Sequence, residues 1–252
     1  LLPHMAPASL PAVPGIEAAG VVDEVGAGVT GVSVGDEVLG WTDTGAYAPY
    51  ALATTVAPKP AGLDWEAAAA LPVAAETAAR VLDLLEVGDR ETLLLHGAAG
   101  AVGGVAVQLA VARGVTVVGT ASPRNHDHLR SLGAIPVAYG DGLAARVRAA
   151  APSGVDAVFD AAGQGALPVS VELRGGTTDR IVTIADPAAA EHGVVFSGGG
   201  ARSAEELARC AGLVAEGRLR VPVAGSFPLT EAARAHELSE RGHAPGKLVL
   251  LS

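Results

Sequence analysis

The stretch 'LLLHGAAGAVGGVAVQLAVARG', residues 93–114, decides how the rest of the chain is interpreted. It carries no charged side chain before Arg113 and is rich in glycine and alanine. It could be a membrane span, a packed core, or a loop whose backbone holds a phosphate group. Its five glycines and its strand-like beginning disfavour a membrane helix. The neighbouring sequence bears on the choice between the other two interpretations.

Around this stretch, apolar strands alternate with helices. The predicted strands cover 92–96, 115–121, 135–139, 156–162 and 180–185, and the predicted helices cover 101–113, 125–133, 142–151 and 165–173. All-apolar strands separated by helices are what a parallel sheet covered on both faces requires. The pattern therefore predicts an α/β fold with a doubly wound parallel sheet, in which the strand at 180–185 comes last.

The regions on either side have a different pattern of apolar residues. Residues 1–72 contain short Val-rich runs between glycines and prolines, a spacing that predicts a barrel or sandwich. This region ends in a helix that begins after the N-cap Asp64 and stops before Pro72, and a second helix covers 73–86. Two more helices and a final strand are predicted at 203–217, 230–241 and 247–252.

Composition excludes several classes of function. Of 252 residues, 50% are hydrophobic and 17% charged, which is enough for a real core and unlike a disordered polyelectrolyte. The formal charge is −10 and no basic run offsets it, so we expect neither a nucleic-acid nor a membrane partner. Aromatic residues make up only 3%, which also argues against stacking on bases.

The cysteine count and the start of the chain constrain the setting. Cys210 is the one cysteine, which excludes a disulfide framework and a multi-thiolate zinc site. Its helix-compatible apolar spacing predicts a buried structural thiol. The first residues, 'LLPHMAPASLPAVPG', lack a basic start and are interrupted by prolines, unlike a secretory signal. We therefore expect a cytoplasmic protein.

Within the alternation, residues 93–114 form the first strand, a glycine turn and the first helix. Gly97, Gly100 and Gly103 recur every third residue, and Ala98 takes the first position of the G-x-G-x-x-G dinucleotide fingerprint. Gly100 would let a pyrophosphate contact backbone amides at the helix start, where the helix dipole favours an anion. Gly103 would let helix and strand pack closely. The alternative is a tight turn without a ligand, but the position after the first strand favours cofactor binding.

The end of the second strand predicts which cofactor binds. An NAD site has an acidic side chain here for the ribose diol, whereas this chain has Ala121 and Ser122. Ser122 can donate a hydrogen bond to a 2′-phosphate and Arg124 can supply positive charge. Asp127 comes only in the following helix. NADPH is therefore predicted, with a solvated Arg124 at the helix start as the alternative.

A set of motifs in order carries a family resemblance: 'PGIEAAGVVDEVGAGVTGVSVGDEV', 'GAYAPYALA', 'ALPVAAETAARVL', 'HGAAGAVGGVAVQLA' and 'GKLVL'. Together they resemble the medium-chain dehydrogenase/reductase superfamily, in its zinc-free quinone oxidoreductase (zeta-crystallin-like) branch. The resemblance implies a co-chaperonin-like β-barrel substrate domain formed by both chain ends, residues 1–72 and 199–252. It also implies an NADPH-binding Rossmann domain at 73–198, with the active-site cleft between the two domains, and a homodimer.

The resemblance further implies a set of cofactor contacts along the chain. Those to the pyrophosphate, the 2′-phosphate and the adenosine side would come from Ala99, Gly100, Ala101, Val102, Gly103, Ser122, Arg124 and Tyr139. Those along the groove and around the nicotinamide would come from Thr77, Gly163, Gln164, Ile184, Ala185, Asp186, Phe196, Ser197 and Lys247. Three alternatives stay open: Thr77 as a buried hydroxyl bonded to its own helix backbone, Tyr139 as an ordinary tyrosine at a strand end, and Lys247 as a solvated lysine before the last strand.

Two departures from the family pattern matter. Zinc-dependent members have Gly-His-Glu where this chain reads Gly15-Ile16-Glu17, so with a single cysteine no zinc site is expected. Family members also have further residues ahead of the position that Leu1 matches, which supply the first barrel strands and an Asn/Tyr pair beside the nicotinamide. We therefore expect the N-terminal part of the barrel to be missing from this sequence.

Three functional hypotheses follow. Without a metal or a covalent nucleophile the cofactor must carry the reaction, which favours an NADPH-dependent reductase that transfers hydride to a quinone or an α,β-unsaturated carbonyl. An enoyl-thioester reductase of polyketide or fatty-acid type is the second hypothesis, and a non-catalytic NADPH-binding scaffold is the third. No proton donor is assigned, because Tyr47 and Tyr50 are expected to pack in the barrel.

Overall fold

The structure, a computed structural model, describes residues 11–241 and 246–252. It divides into two compact units. The first unit holds the described residues up to Glu76 together with those from Ala201 onward, and the second holds Thr77–Gly200. The domain ranges expected from the sequence stay a prediction.

The secondary-structure elements are numbered along the whole chain. The strands are β1 (Glu17–Val21), β2 (Glu37–Trp41), β3 (Thr55–Pro58), β4 (Thr92–His96), β5 (Thr116–Thr120), β6 (Ile135–Val137), β7 (Ala157–Asp160), β8 (Ile181–Thr183), β9 (Val195–Phe196), β10 (Val223–Pro228) and β11 (Lys247–Leu251). The helices are α1 (Trp65–Leu84), α2 (Ala101–Ala112), α3 (His126–Ser131), α4 (Leu143–Ala150), α5 (Leu167–Leu173), α6 (Ala204–Ala215) and α7 (Ala232–Glu240). Short 3₁₀ turns cover Pro123–Asn125, Ala189–His192 and Leu229–Glu231.

The second unit is built on a parallel sheet with the strand order β6-β5-β4-β7-β8-β9. The chain begins at β4 in the middle, moves outward to β6, then returns to β7 and continues to the other edge. This is the order of a Rossmann fold, so the predicted doubly wound sheet is confirmed. The order reverses between β4 and β7, and ligands of such sheets bind beyond the carboxyl ends of the strands at that point.

The central strands are apolar along their whole length because the sheet is buried on both faces. Leu93, Leu94 and Leu95 of β4 are each fully buried, as are Val158 and Phe159 of β7. With few aromatic residues in the chain, Ala, Val and Leu fill most of this core, as the composition predicts.

Two sequence predictions about the elements are wrong. Helix α1 continues through Pro72, where the sequence predicts a break between two helices. Proline has no N–H to donate, and the next amide, Val73 N, donates to the side chain of Glu17 at 2.8 Å. The sheet also gains β9 after β8, which the sequence analysis places last. This strand has two half-exposed residues, too few for a periodic signal.

In the first unit, β1, β2 and β3 form an antiparallel sheet, and β10 pairs with β11 in parallel. The motif 'GAYAPYALA', residues 45–53, contains no strand, and β3 begins only at Thr55.

Helix α6 packs against β3, and its N-cap Ser203 accepts a hydrogen bond from Glu206 N. Cys210 in α6 is fully buried, and burial raises the pKa of its thiol to about 11, which confirms the predicted structural thiol.

Among the described residues, no helix combines the length and the apolar composition that crossing a bilayer would need.

The end of α1 is held by Arg180, which precedes β8. Its guanidinium donates to the carbonyls of Leu85 and Glu86 and forms two bonds to the Glu91 carboxylate, at 2.7 and 2.8 Å. Leu85 and Glu86 lie in the turn directly after α1, where the negative end of the helix dipole favours a cation. With Gly88 N as a further donor, Arg180 holds the pKa of Glu91 at about 2, below its usual 4.5.

We expect this cluster to make stability depend on pH. A carboxyl with a lowered folded-state pKa stabilises fully above its unfolded value, so the contribution is lost as pH falls from about 4.5 toward 2. The substitution Glu91→Gln should lower the free energy of unfolding by about 1 kcal/mol at pH 7 and by much less at pH 2.5. Thermal unfolding across this pH range measures the effect.

The matched control is Glu172→Gln, which removes the more exposed ion pair with Arg148 in the same unit. It should leave the melting temperature nearly unchanged. Equal effects of the two substitutions at pH 7 would contradict the stabilising role assigned to Glu91.

Candidate functional site

The glycine turn lies directly after β4. Gly97 has a φ of +71°, and a Cβ there would lie 3.1 Å from the carbonyl oxygen of Ala161, in the loop after β7. A Cβ at Gly103, in the first turn of α2, would lie 2.3 Å from Gly97 O and 2.8 Å from Ala98 Cα. The turn is therefore in direct backbone contact with α2 and with the loop after the neighbouring strand.

Backbone amides at the start of α2 are open. Over the described residues, the N–H groups of Ala99, Ala101, Val102 and Gly103 have no hydrogen-bond acceptor. The N-cap Gly100 has no side chain that could serve as one. Such a group of amides at the N-terminus of a twelve-residue helix is suited to an anion. The residues predicted to hold a pyrophosphate are thus brought together, and their binding role stays a prediction.

A buried hydrogen-bond chain supports this turn from β4. Ser170 donates to Ala166 O, so the His96 Nε2–H donates to Ser170 Oγ at 3.0 Å. His96 Nδ1 lies 3.5 Å from the hydroxyl of Thr120, whose oxygen accepts from Gly97 N at 3.2 Å. Burial lowers the pKa of His96 to about 4, although Asp160 opposes the shift, so the imidazole is neutral at pH 7. Sequence analysis did not single out His96, because a histidine that ends a strand has no distinctive pattern.

The predicted 2′-phosphate residues lie at the ends of the next two strands. The hydroxyls of Ser122 and Tyr139 are 3.1 Å apart, which connects the loops after β5 and β6. Arg124 is exposed in the 3₁₀ turn and has no ion-pair partner within residues 11–241 and 246–252. Asp127, by contrast, is paired with Arg130 at 2.6 Å.

The loop that carries Tyr139 is held by a residue that the sequence analysis missed. Arg146 of α4 donates to the carbonyls of Ala138, Tyr139, Gly140 and Asp141. An arginine on a helix usually indicates a solvated face, so its sequence position gave no signal for this role.

The loops after β7 and β8 are in contact with each other. Gly163 has a φ of +62°, and a Cβ there would lie 2.3 Å from Ala185 O. These loops contain the remaining predicted groove residues, Gln164, Ile184 and Asp186, and Asp186 is buried. The structure thus places all five predicted residues of these loops at one edge of the sheet, beside the glycine turn.

The last predicted contacts of the second unit lie on α1 and β9. Arg80 of α1 donates to both the backbone carbonyl and the hydroxyl of Ser197, directly after β9. Thr77 is buried one helical turn before Arg80, so both lie on the same side of α1. Phe196 is half exposed on the edge strand. Arg80 is a further residue that the sequence analysis missed.

Lys247 lies in the first unit and has a partner there. Its ammonium forms an ion pair with Glu17, and this carboxylate also accepts the hydrogen bond from Val73 N. Burial raises the pKa of Glu17, and Lys247 acts in the opposite direction. The alternative of a solvated lysine is wrong, since only 21% of the side chain is exposed. Its predicted contact with the cofactor stays a prediction.

The two tyrosines of the first unit differ. The Tyr47 hydroxyl is 3.0 Å from His236 Nε2, and burial raises the pKa of this phenol. Tyr50 is 75% exposed, so its predicted packing is wrong.

No three His, Cys, Asp or Glu side chains cluster as metal ligands in the part of the chain that the structure describes.

Comparison with protein families adds to this geometry. Residues 3–61 match the model of the alcohol dehydrogenase GroES-like domain, and residues 132–250 match that of the zinc-binding dehydrogenases. The quinone oxidoreductase of Mus musculus is 31% identical over 96% of this chain and 81% of that protein. The chain belongs to the medium-chain dehydrogenase/reductase superfamily, in its quinone oxidoreductase branch. The first family match also confirms the GroES-like part of the predicted fold class.

Other proteins that are similar to this chain are longer than it. A pikromycin polyketide synthase component of Streptomyces venezuelae is 36% identical over 95% of this chain, which spans only 7% of that protein. The 2-methylene-furan-3-one reductase of Solanum lycopersicum is 32% identical over 96% of this chain and 64% of its own length.

Solved structures show the same fold. The quinone oxidoreductase of Coxiella burnetii has a TM-score of 0.81 and 33% identity, over 96% of this chain and 80% of that one. The Escherichia coli quinone oxidoreductase complexed with NADPH has a TM-score of 0.81 and 26% identity, over 98% and 84% of the two chains.

The close backbone contact at Gly103 predicts a difference between two glycines of this superfamily fingerprint. In Gly103→Ala the new methyl would overlap backbone atoms of the turn, and the shift should cost about 1–3 kcal/mol of unfolding free energy. In Gly100→Ala the methyl would meet only Gly97 O at 3.3 Å, and the φ of −77° suits alanine. Thermal unfolding should therefore show a large loss for the first variant and a small one for the second. The reverse order would contradict this account.

The Glu17–Lys247 ion pair predicts a pH-dependent defect. Lys247→Met leaves a buried carboxylate without its partner and should cost about 3 kcal/mol at pH 7. Without Lys247 the pKa of Glu17 rises further, so the folded state takes up a proton more readily and the variant should regain stability as pH falls toward 5.

The matched control for Lys247→Met is the double variant Glu17→Gln/Lys247→Met. It has no buried charge, and its glutamine oxygen can still accept from Val73 N. It should be more stable than Lys247→Met at pH 7, as measured by denaturant unfolding. Equal stability would refute the account.

Proposed function

We propose that this chain is an NADPH-dependent reductase that transfers hydride to a quinone or an α,β-unsaturated carbonyl without a metal ion. The observation that carries the proposal is the group of open amides of Ala99, Ala101, Val102 and Gly103, located at the point where the sheet order reverses. These amides fit a pyrophosphate because they offer several donors and the positive end of the α2 dipole.

The ends of β5 and β6 support NADPH rather than NADH. The hydroxyl pair of Ser122 and Tyr139 and the exposed guanidinium of Arg124 can bind a phosphate on the adenosine ribose. A carboxylate that would bind a ribose diol does not follow β5, since Ala121 and Ser122 occupy that position. The solved relative from Escherichia coli that was complexed with NADPH is consistent with this choice.

When bound, the dinucleotide supplies a hydride, and this chain's residues position it. The loops after β7 and β8 and the segment at Ser197, which Arg80 holds, would form the nicotinamide end of the site. Zinc chemistry is disfavoured because Ile16 replaces the histidine ligand and the chain has one cysteine.

An enoyl thioester is a second candidate substrate. It is favoured by the 36% identity with a polyketide synthase component over nearly the whole of this chain. Both candidate substrates contain a carbon–carbon double bond conjugated with a carbonyl, so the same positioning of hydride serves either one.

Arg124 provides the test of cofactor choice. The substitution Arg124→Ala should raise the dissociation constant for NADPH by about tenfold and leave that for NADH nearly unchanged, since only NADPH carries the 2′-phosphate. Arg124→Asp should abolish any preference for NADPH. Fluorescence titration with both dinucleotides gives the two constants.

The control is Arg148→Ala, which removes an equal charge on α4, where the guanidinium is paired with Glu172. It should change neither constant. Wild-type protein that binds the two dinucleotides equally would overturn the assignment to Ser122, Tyr139 and Arg124.

Consumption of NADPH with 1,4-benzoquinone, an enone and crotonyl-CoA in parallel tests the reaction. Tight binding without turnover of any of the three would favour a non-catalytic scaffold instead.

A further inference from the structure

A buried carboxylate lies beneath the loop after β7. Asp160, the last residue of β7, is fully buried, and its Oδ1 accepts from Ala162 N at 2.9 Å and from Gly163 N at 3.1 Å. Burying a charge is costly unless hydrogen bonds satisfy it, so a carboxylate here has a specific role in the structure. Its first oxygen fixes the backbone that leads to Gln164.

The second oxygen of Asp160 connects this loop to the next one. Asp160 Oδ2 accepts the hydroxyl proton of Thr183, the last residue of β8, at 2.7 Å. The Thr183 oxygen then accepts from Ala185 N at 3.1 Å and from Asp186 N at 3.0 Å. Because the hydroxyl has one proton and gives it to Asp160, its oxygen is left as an acceptor for both amides.

These bonds join two loops that already touch. Gly163 is in backbone contact with Ala185, and Asp186 continues the network by accepting from Ala188 N at 2.9 Å. The residues that face the proposed ligand here are mostly small or act through their backbone. Their positions therefore depend on the two polar side chains beneath them, neither of which is exposed.

We infer that Asp160 and Thr183 are positioning residues that set the loops after β7 and β8 for the nicotinamide half of the dinucleotide. The inference rests on the proposed function, since it refines the same site. The proposed dinucleotide site would then have two parts that depend on different residues. The adenosine half would depend on the ends of β5 and β6, and the nicotinamide half on the Asp160–Thr183 pair.

Thr183→Val provides the test, with NADPH and 2′,5′-ADP as the two probes. Valine keeps the side-chain shape but removes the hydroxyl, so the Ala185 and Asp186 amides lose their acceptor. The dissociation constant for NADPH should rise about tenfold, whereas that for 2′,5′-ADP, which has no nicotinamide half, should stay within about twofold. Thr183→Ser, which keeps the hydroxyl, should restore NADPH binding.

Two further variants separate positioning from general stability. Ile181→Ala truncates a fully buried residue of the same strand and should lower the melting temperature while both dissociation constants stay at the wild-type values. Asp160→Asn places an N–H group or a weaker acceptor against the Thr183 hydroxyl and should weaken NADPH binding as Thr183→Val does. Hydrogen exchange at the Ala185 and Asp186 amides should be faster in Thr183→Val than in Ile181→Ala.

The outcomes distinguish the inference from the proposed function. Thr183→Val that binds both probes like wild type, or weakens both equally, overturns the positioning role while the dinucleotide site stands. A valine variant and a serine variant with the same defect overturn it as well. If wild-type protein binds neither probe, the proposed function itself fails.

Discussion

Backbone-to-backbone contact where the parallel sheet reverses its order is the constraint on which the second unit depends. Residues without a side chain allow the turn after β4 to lie against α2 at Gly103, and the loop after β7 to lie against the loop after β8 at Gly163. A methyl group at either position would come within 2.3 Å of a carbonyl oxygen. The first amides of α2 follow this contact, and in the part of the chain that the structure describes they have no internal acceptor, because a helix begins with N–H groups that lack an intrahelical partner.

Loops made of small residues cannot fix their own geometry, and buried polar side chains do so from below. His96 and Thr120 connect β4 and β5 beneath the glycine turn, and Asp160 and Thr183 connect β7 and β8 beneath the neighbouring loops. All four residues lie at the carboxyl ends of strands and are buried. A buried polar group without a partner is costly, so each network favours one arrangement of the loops above it.

In the first unit too, a polar side chain that is largely buried binds a backbone amide, here within helix α1. Proline interrupts the hydrogen bonds of α1, and the carboxylate of Glu17 accepts the amide that follows. Lys247 then balances the buried charge, although it lies 230 residues away in sequence. Glu17, which directly follows Ile16 and begins β1, thus has a structural role.

The sequence by itself determined the fold class and the place of the glycine turn. An all-apolar run such as Leu93–Leu95 is required by burial on both faces, so strand β4 could be predicted from local pattern alone. Only the tertiary structure decided that α1 continues through Pro72, that the short edge strand β9 exists, and that Asp160 meets Thr183. Each of these depends on a hydrogen bond or a packing partner supplied from a distant part of the chain, and local propensity contains no information about such partners.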